Sequence, residues 1–502
     1  FALIALAIGL ALAVYYRRAR TGVATRAVED SELGAALLGY SPNRIAMVIW
    51  LLSATTRGLA GIRALDMVWL TPSRYTLLVV PALGAARFGN LSSTGLAACG
   101  GVGVGRVLSA AAGLTLKGWW PDWLPEEGVR QAVPLIVIVV FQFSRGHLLP
   151  VRSTQLEERQ PKAPVPRHVV RDLVLLVAAA ALVLNAADRV TEGKLISSLI
   201  ATILMLSSVV LVGYLGQISL ANLAFAGVAA YLATRLAADG TQYGVSPLVL
   251  DGPGLPAPLA ALVGVAIAVG VGVLIAIPAL RIRGLQLALV TLAAAVAVTE
   301  LVLANEALIG EGARSIVTVP PPNWFGIDVG VTTDAAGLPS RTHLAVFAII
   351  WLVVLITAVT GLRRGATGRR FLAVRSNERA AAAAGVNVVG AKLLGFGIAS
   401  AVAGIAGVLT SYHQTTLQIT TWSALAGIAN LALLFVGGVG RVGGAIIGGL
   451  LTPGGLLSQT SADGEVLRNA VTGALMIAIA VFRPDGLASL GRPLVDTLKR
   501  KR

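Results

Sequence analysis

Charged residues are scarce in this chain. They make up 13% of its 502 residues, whereas apolar residues make up 56%, and an ordinary soluble domain carries about 25% charged residues. So few polar residues cannot cover the surfaces of the two or more soluble domains that a chain of this length would form. The composition therefore excludes an ordinary soluble protein and indicates a chain that uses lipid as its solvent.

Cysteine and histidine are also rare. The single cysteine, Cys99, lies in an apolar run, which excludes an internal disulfide and a thiolate metal cluster. Of the four histidines, His343 and His413 lie at predicted span boundaries without neighbouring ligands, so no metal site is expected. Catalysis needs a convergent set of reactive side chains. We therefore predict no enzyme, no catalytic residue and no cofactor.

Long apolar runs are what the chain has instead. A helix that crosses the hydrocarbon core needs roughly 20 mostly apolar residues. By this criterion the sequence predicts an all-α polytopic integral membrane protein with about 15 membrane segments, several of them short. These segments lie near residues 1–15, 45–64, 77–91, 93–114, 131–147, 171–188, 195–213, 218–236, 257–279, 285–304, 342–361, 391–410, 425–439, 442–458 and 468–482.

The net charge of +16 could suggest a nucleic-acid partner, but the arginines cluster between apolar runs and no aromatic residues alternate with them. We therefore expect no nucleic acid and interpret the arginines by the positive-inside rule. If the loop at Arg17 is cytoplasmic and the spans alternate strictly, 28 of the 40 lysines and arginines lie inside.

Two arginine-rich segments repeat each other. The first basic loop, residues 17–40, reads RRARTGVATRAVEDSELGAALLGY, and the second basic loop, residues 363–386, reads RRGATGRRFLAVRSNERAAAAAGV. At an offset of 346, thirteen of the 45 residues from 17 to 61 are identical. The identities include Glu32 with Glu378, Ala35 with Ala381, Ala36 with Ala382, Gly39 with Gly385, Gly58 with Gly404 and Gly61 with Gly407. The chain therefore contains two homologous units in parallel orientation.

The organisation follows from this repeat and from a proline-rich stretch at 144–172. We predict a first unit at 1–147, a cytoplasmic linker at 148–171, a second unit at 172–488 and a basic tail at 489–502. The outer loop at 305–341 should be ordered only by packing or by a partner.

Each basic loop predicts a short cytoplasmic helix. The sequence SNERAAAAAG offers a serine or asparagine cap, a glutamate in the first turn and a terminating glycine. Its alanines form a slim face that another surface can approach closely, while the flanking arginines favour anionic lipid headgroups. A helix that merely anchors the membrane domain is the alternative interpretation.

The polar segment, residues 213–222, interrupts an apolar run with two glycines and three polar side chains. These are Gly213, Gly216, Gln217, Ser219 and Asn222. A broken helix here would expose polar groups to a cavity suited to a zwitterionic solute; a polar turn at the inner surface is the alternative. Glu300 and Arg57 also lie within predicted spans, where snorkelling of Glu300 to the outer interface is expected.

Five motifs follow one another in the second half of the chain. They are GYLGQISLANLAFAGVAAY at 213–231, LRIRGLQLALVTL at 280–292, the second basic loop, FVGGVGRVGGAIIGGLL at 435–451 and FRPDGL at 482–487. Together they resemble the branched-chain amino acid ABC transporter permeases of the Liv type. The resemblance spans roughly 172–488, and 1–147 looks like the C-terminal half of the sister permease. This implies a fusion of both subunits with the first truncated at its N-terminus. Family members commonly have Gly followed by His or Gln where this chain has Ala221 and Asn222.

The resemblance implies a role and a set of partners. Residues 32–39 and 378–385 would be coupling helices, one for each of two ABC ATPase subunits. Those subunits would supply the energy, because the chain has no GxxxxGK[ST] phosphate loop. An extracellular or periplasmic solute-binding protein would deliver a branched-chain or related amino acid, across a bacterial inner membrane. A secondary transporter or channel for small polar solutes is the alternative, and it would require carboxylates near mid-membrane.

Overall fold

The structure, a computed structural model, describes most of the chain. The described residues are 2–64, 79–88, 94–115, 163–166, 169–186, 188–243, 250–280, 285–305, 317–333, 339–414, 416–457 and 485–489, with scattered positions at 117–137 and 473–482. Most of the predicted linker at 148–171, most of the predicted spans at 131–147 and 468–482, and the predicted tail beyond Ser489 lie outside these residues.

The chain separates into two units. One consists of Phe1–Trp120 with Val133–Glu158, and the other of Pro121–Ala132 with Arg159–Arg502. Helices of the first unit are α1 (Ala2–Arg18), α2 (Arg20–Asp30), α3 (Glu32–Leu37), α4 (Pro42–Ala64), α5 (Val79–Phe88) and α6 (Thr94–Thr115).

The second unit is also mainly helical. Its helices are α7 (Val169–Ala186), α8 (Arg189–Ser208), α9 (Asn222–Ala237), α10 (Ala257–Ala279), α11 (Leu285–Val298), α12 (Thr342–Arg364), α13 (Ala366–Ser376), α14 (Glu378–Ala383), α15 (Val388–Gln414), α16 (Ala424–Gly437) and α17 (Val442–Leu451). Helices α8 and α11 continue as π-helical turns at Val209–Tyr214 and Thr299–Leu303.

The helices satisfy the requirements of a membrane-spanning fold. Within the described residues, six helices are long and apolar enough to cross a bilayer, and three shorter apolar helices accompany them. Their Leu, Val and Ala side chains need no hydrogen-bond partners, and the helical backbone pairs its own N–H and C=O groups. The prediction of an all-α polytopic membrane protein is therefore confirmed.

Helices α8, α9, α10 and α15 pack together as the core of the second unit. The stretch Arg189–Tyr214 is the most enclosed of the six long helices, with 89% of its most apolar part buried. Small residues allow close approach, as is usual between helices in lipid. Gly407 of α15, for example, packs directly on the Ala226 carbonyl of α9.

Short antiparallel strand pairs connect some helices. They are β1 (Asp239–Tyr243) with β2 (Leu250–Pro253), β3 (Val317–Thr318) with β8 (Thr416–Leu417), β4 (Asn323–Trp324) with β5 (Ile327–Asp328), and β6 (Thr332–Thr333) with β7 (Pro339–Ser340). The Trp324 ring packs on Phe347 with 4.9 Å between ring centroids. Its indole Nε1 donates a hydrogen bond to the Tyr412 hydroxyl at 3.4 Å.

Candidate functional site

The repeat seen in the sequence extends to the helix boundaries. Helices α1 to α4 form one series and helices α12 to α15 form the other. At the same offset of 346, the end of α1 matches the end of α12, both bounds of α2 and α3 match those of α13 and α14, and α4 begins where α15 begins. Six consecutive helix boundaries therefore coincide in two stretches that share fewer than a third of their residues.

Both short helices begin with the same cap. The Ser31 Oγ atom accepts a hydrogen bond from the Gly34 N–H at 3.0 Å, and the Asn377 Oδ1 atom accepts from the N–H groups of Arg379 and Ala380 at 3.0 and 3.1 Å. Each cap residue has an extended backbone, with φ of −161° and −159°. The predicted capping at the N-terminus of these helices is confirmed.

Both short helices also end in the same way. The Gly39 and Gly385 N–H groups bond to the carbonyls of Ala36 and Ala382, and the following residue in each loop bonds back to the buried Ala35 or Ala381. This paired arrangement is the Schellman motif, which requires a left-handed residue. Gly39 and Gly385 supply it with φ of +87° and +80°.

The exposed faces of the two helices differ. Around the second helix, Ala382 and the two following alanines are exposed, which agrees with the predicted slim face. Around the first helix, Leu33, Leu37 and Leu38 are 68%, 81% and 73% exposed. The first helix therefore offers a broad apolar surface, which the shared alanines at 35 and 36 did not indicate.

Three residues of the polar segment lie against the second basic loop. The carbonyl of Gly213 accepts a hydrogen bond from Arg375, and a Cβ at Gly216 would lie 2.7 Å from the Arg375 Cγ. The Gln217 Nε2 atom donates to the Glu378 Oε1 at 3.5 Å. Burial, and then the charge of Arg363, lower the pKa of Arg375.

The polar segment is a break between two helices. Helix α8 ends its π-helical turn at Tyr214, residues 215–221 have no helical assignment, and α9 begins at Asn222. Gly216 takes a left-handed conformation with φ of +73°. Because this break contacts the second basic loop, it lies at the same end of the helix bundle as that loop.

The other two predicted residues of this segment line a cavity. The cavity is small, with a volume of about 10 Å³, which is about the space that one water molecule needs. Its lining residues are Leu204, Met205, Ser208, Ser219, Leu220, Asn222, Leu223, Gly427, Asn430 and Leu431. The Asn222 Nδ2 atom donates to the Ser208 Oγ at 2.7 Å, and the buried Asn222 Oδ1 has no hydrogen-bond partner among the described residues.

Such a cavity combines apolar walls with a few polar groups, which is the usual composition of a small-molecule site. A buried amide oxygen without a partner costs free energy, because it loses its bond to water. A solute ammonium or amide N–H at this position would provide the missing donor. The five predicted residues therefore divide between the cavity and the loop contact.

The weaker candidates lie elsewhere. Glu300 is in the π-helical turn that follows α11, and Arg57 is an exposed residue of α4. His413 Nε2 is 3.1 Å from the Ser197 Oγ. Among the described residues, no group of three metal-binding side chains occurs.

Sequence reasoning did not single out Arg375, Ser208 or Asn430, nor Lys392, whose Nζ atom lies 3.0 Å from the Glu378 Oε1 atom. Lys392 had a detectable signal, because it is the one cation inside the apolar sequence VVGAKLLGFGIAS and ionisable residues within spans are functional suspects. Ser208 and Asn430 had none, since small polar residues are common in membrane helices.

Comparison with known proteins places the chain in a family. The family model described as branched-chain amino acid transport system / permease component matches residues 190–480, which is more than half of the chain. The chain belongs to the branched-chain amino acid transport permease family. The resemblance inferred from its motifs is thereby confirmed, although this match says nothing about a fusion of two subunits.

Individual members of this permease family are moderately similar. The high-affinity branched-chain amino acid transport system permease protein LivM of Salmonella typhimurium is 27% identical over 250 residues, 47% of this chain and 57% of that protein. LivM of Escherichia coli is 27% identical over 228 residues, 43% and 53% of the two chains. BraD of Pseudomonas aeruginosa is 28% identical over 185 residues, 36% and 57%.

The chain thus spans little more than half the length of these curated relatives. No solved structure matches it.

Proposed function

We propose that this chain is the transmembrane permease component of an ATP-driven importer for branched-chain or related amino acids. The observation that carries the proposal is the pair of short capped helices, α3 and α14, whose boundaries coincide at a constant offset. A helix that only anchors a membrane domain has no need of the same two caps in both repeats. Two docking elements with the same boundaries and caps suit two motor subunits.

The proposed partners follow from this arrangement. Helices α3 and α14 each dock on one ABC ATPase subunit, which supplies the ATP hydrolysis, and the chain itself is not the enzyme. Glu32, Ala35, Ala36 and Gly39 form the first coupling element, and Glu378, Ala381, Ala382 and Gly385 form the second. An extracellular or periplasmic solute-binding protein delivers the solute to the opposite side of the bacterial inner membrane.

The residues that line the small cavity at Asn222, rather than its present volume, support an amino-acid substrate. Its polar groups, Ser208, Ser219, Asn222 and Asn430, lie on one cavity whose other walls are Leu and Met side chains. These apolar walls suit an aliphatic side chain, and the unpartnered amide oxygen suits an ammonium group. We propose that this cavity is part of the solute path.

Copurification tests the docking role. The chain would be expressed with its cognate ATPase subunits, and Ala36→Trp and Ala382→Trp would place bulk on the exposed faces of α3 and α14. We expect each substitution to reduce the ATPase recovered by about tenfold, as is usual when an interface core is blocked. Phe325→Asn, at an exposed turn of the outer loop, is the control.

The energy source separates this proposal from its rival. Radiolabelled leucine uptake into proteoliposomes should depend on enclosed ATP and on the binding protein. Uptake driven by an ion gradient in the absence of ATP would instead identify a secondary transporter.

A further inference from the structure

A buried ion pair joins the second basic loop to the helix bundle. The Lys392 Nζ atom is 3.0 Å from the Glu378 Oε1 atom, and the two side chains are 1% and 11% exposed. The same ammonium group donates to the Leu280 carbonyl at 3.4 Å, while Gln217 donates to the same carboxylate oxygen. Four separate stretches of the chain therefore meet at two charges.

Such a pair is costly to separate. A lysine this deeply buried keeps its charge only when it is paired, and removal of one partner leaves an uncompensated charge in a medium of low dielectric constant. Glu378 is also the first residue of α14. Any displacement of α14 must therefore carry Lys392 and Gln217 with it or separate the charges.

A second contact fixes the same two parts of the molecule. Arg375, at the end of α13, donates to the Gly213 carbonyl, and its side chain lies so close to Gly216 that a Cβ there would meet it at 2.7 Å. The polar segment is thus held to the second basic loop at both of its glycines and at Gln217.

The polar segment leads directly into the cavity. The Ala221 N–H donates to the Ser219 Oγ at 3.3 Å, and the Leu220 N–H donates to the Thr291 Oγ1 at 3.0 Å. Asn222 then donates a hydrogen bond to Ser208, and both residues line the cavity. Only residues 218–221 separate Gln217 from Asn222, and three of them, Ser219, Leu220 and Ala221, take part in hydrogen bonds.

Within the described residues, the first basic loop has no counterpart of the Lys392–Glu378 ion pair. Its Glu32 matches Glu378, but the position that matches Lys392 is Ala46 and the position that matches Arg375 is Glu29. Glu32 is exposed, whereas Glu378 is largely enclosed. The capped helix is common to both loops, so a role in docking alone does not explain why a buried lysine accompanies only the second.

We infer that Glu378 and Lys392 are a positioning pair that transmits movement of α14 through Gln217 to the polar segment and so to the cavity at Asn222. The inference rests on the proposed function, because it assumes that an ATPase moves α14. It adds that the two basic loops are unequal, since only the second one is tied to the solute path.

The experiment measures leucine uptake per ATP hydrolysed. Full-length chain would be reconstituted in proteoliposomes with its copurified ATPase subunits and binding protein, as wild type, Lys392→Met, Lys392→Arg and the exchanged pair Glu378→Lys with Lys392→Glu. Dividing leucine uptake by ATP hydrolysis separates a defect in transmitting movement to the cavity from a defect in docking of the ATPase. Ala46→Met, at the matching exposed position of the first unit, is the control.

We expect Lys392→Met to lower uptake per ATP by about tenfold, within the usual range for coupling between two sites. Lys392→Arg and the exchanged pair should recover much of that loss, and Ala46→Met should equal wild type. An unchanged ratio in Lys392→Met would overturn the inference while leaving the proposed function intact.

Two further outcomes are decisive. If Lys392→Met fails to reach the membrane, Glu378→Gln replaces it, because the amide keeps the size of the carboxylate and removes its charge; a wild-type ratio in that variant also refutes the pair. If the wild-type chain recovers no ATPase, the proposed function and this inference fail together.

Discussion

Gly407 and Gly61 occupy matching positions in the two repeats but have different surroundings. A Cβ on Gly407 would overlap the carbonyl oxygen of Ala226, whereas no heavy atom of another described segment lies within 4 Å of the Cβ position at Gly61. Close packing therefore explains the glycine at position 407 of α15, and the described residues give no such explanation for the glycine at position 61 of α4.

We expect Gly407→Ala to destabilise the second unit, because α15 and α9 must move apart to accept the methyl group. Overpacking of this kind costs about 1–3 kcal/mol. Thermal unfolding in detergent, monitored through the loss of monomeric protein, would show a lower midpoint temperature. Gly61→Ala is the matched control and should leave the midpoint unchanged or raise it slightly, since alanine favours a helix.

Asn377 provides a second prediction for a single residue. Asn377→Ala removes the acceptor for two backbone N–H groups of α14 and should cost about 1 kcal/mol. Hydrogen–deuterium exchange of residues 378–383 should accelerate about fivefold. Asn377→Ser should retain protection, because Ser31 performs the same function in α3. Equal exchange in the alanine and serine variants would contradict the capping role.

At the level of the element, local signals predicted most of what is observed. The cap residue, the first-turn glutamate and the terminal glycine of α14 lie within nine residues of sequence, 377–385, so their prediction did not need the fold. The pair of Lys392 and Glu378 did need it, because the contact depends on how α15 packs beside the polar segment. The polar segment at 213–222 could be predicted to interrupt an apolar run, but its residues could not be predicted to divide between a cavity and a loop.

Exchange of the short helices tests whether these local signals suffice. A chain in which residues 31–40 replace residues 377–386 should still form a helix at this place, because both sequences contain the cap and the Schellman glycine. Exchange protection of the grafted segment is the measurement. A graft with alanine in place of the cap serine and the glycine should lose protection; if it does not, tertiary packing alone forms the helix.

For the whole molecule, composition and the distribution of arginines predicted the fold class, and the six long helices confirm it. The number of membrane segments stays a prediction, since parts of several predicted spans lie outside the described residues. The division into domains at 147, 171 and 488 and the fusion of two subunits are likewise untested predictions. Short strand pairs such as β4 with β5 were not predicted, because each strand has only two residues.

Sidedness can be measured on the intact protein. In a Cys99→Ala background, a membrane-impermeant maleimide should label Leu38→Cys and Ala384→Cys only in inside-out vesicles, and Phe325→Cys only in right-side-out vesicles. The reason is the excess of arginine in both basic loops. Labelling of positions 38 and 384 from opposite sides would refute the parallel repeat.

The single residue between α13 and α14 has a mechanical consequence. Asn377 uses its N–H to bond Ala373, its carbonyl to accept from Ala381 and its side chain to cap α14. Ser31 is held in the same way between α2 and α3. Because the backbone groups of Asn377 are both hydrogen-bonded, the angle between α13 and α14 cannot change without breaking a hydrogen bond. A displacement of α14 must therefore move α13 as well.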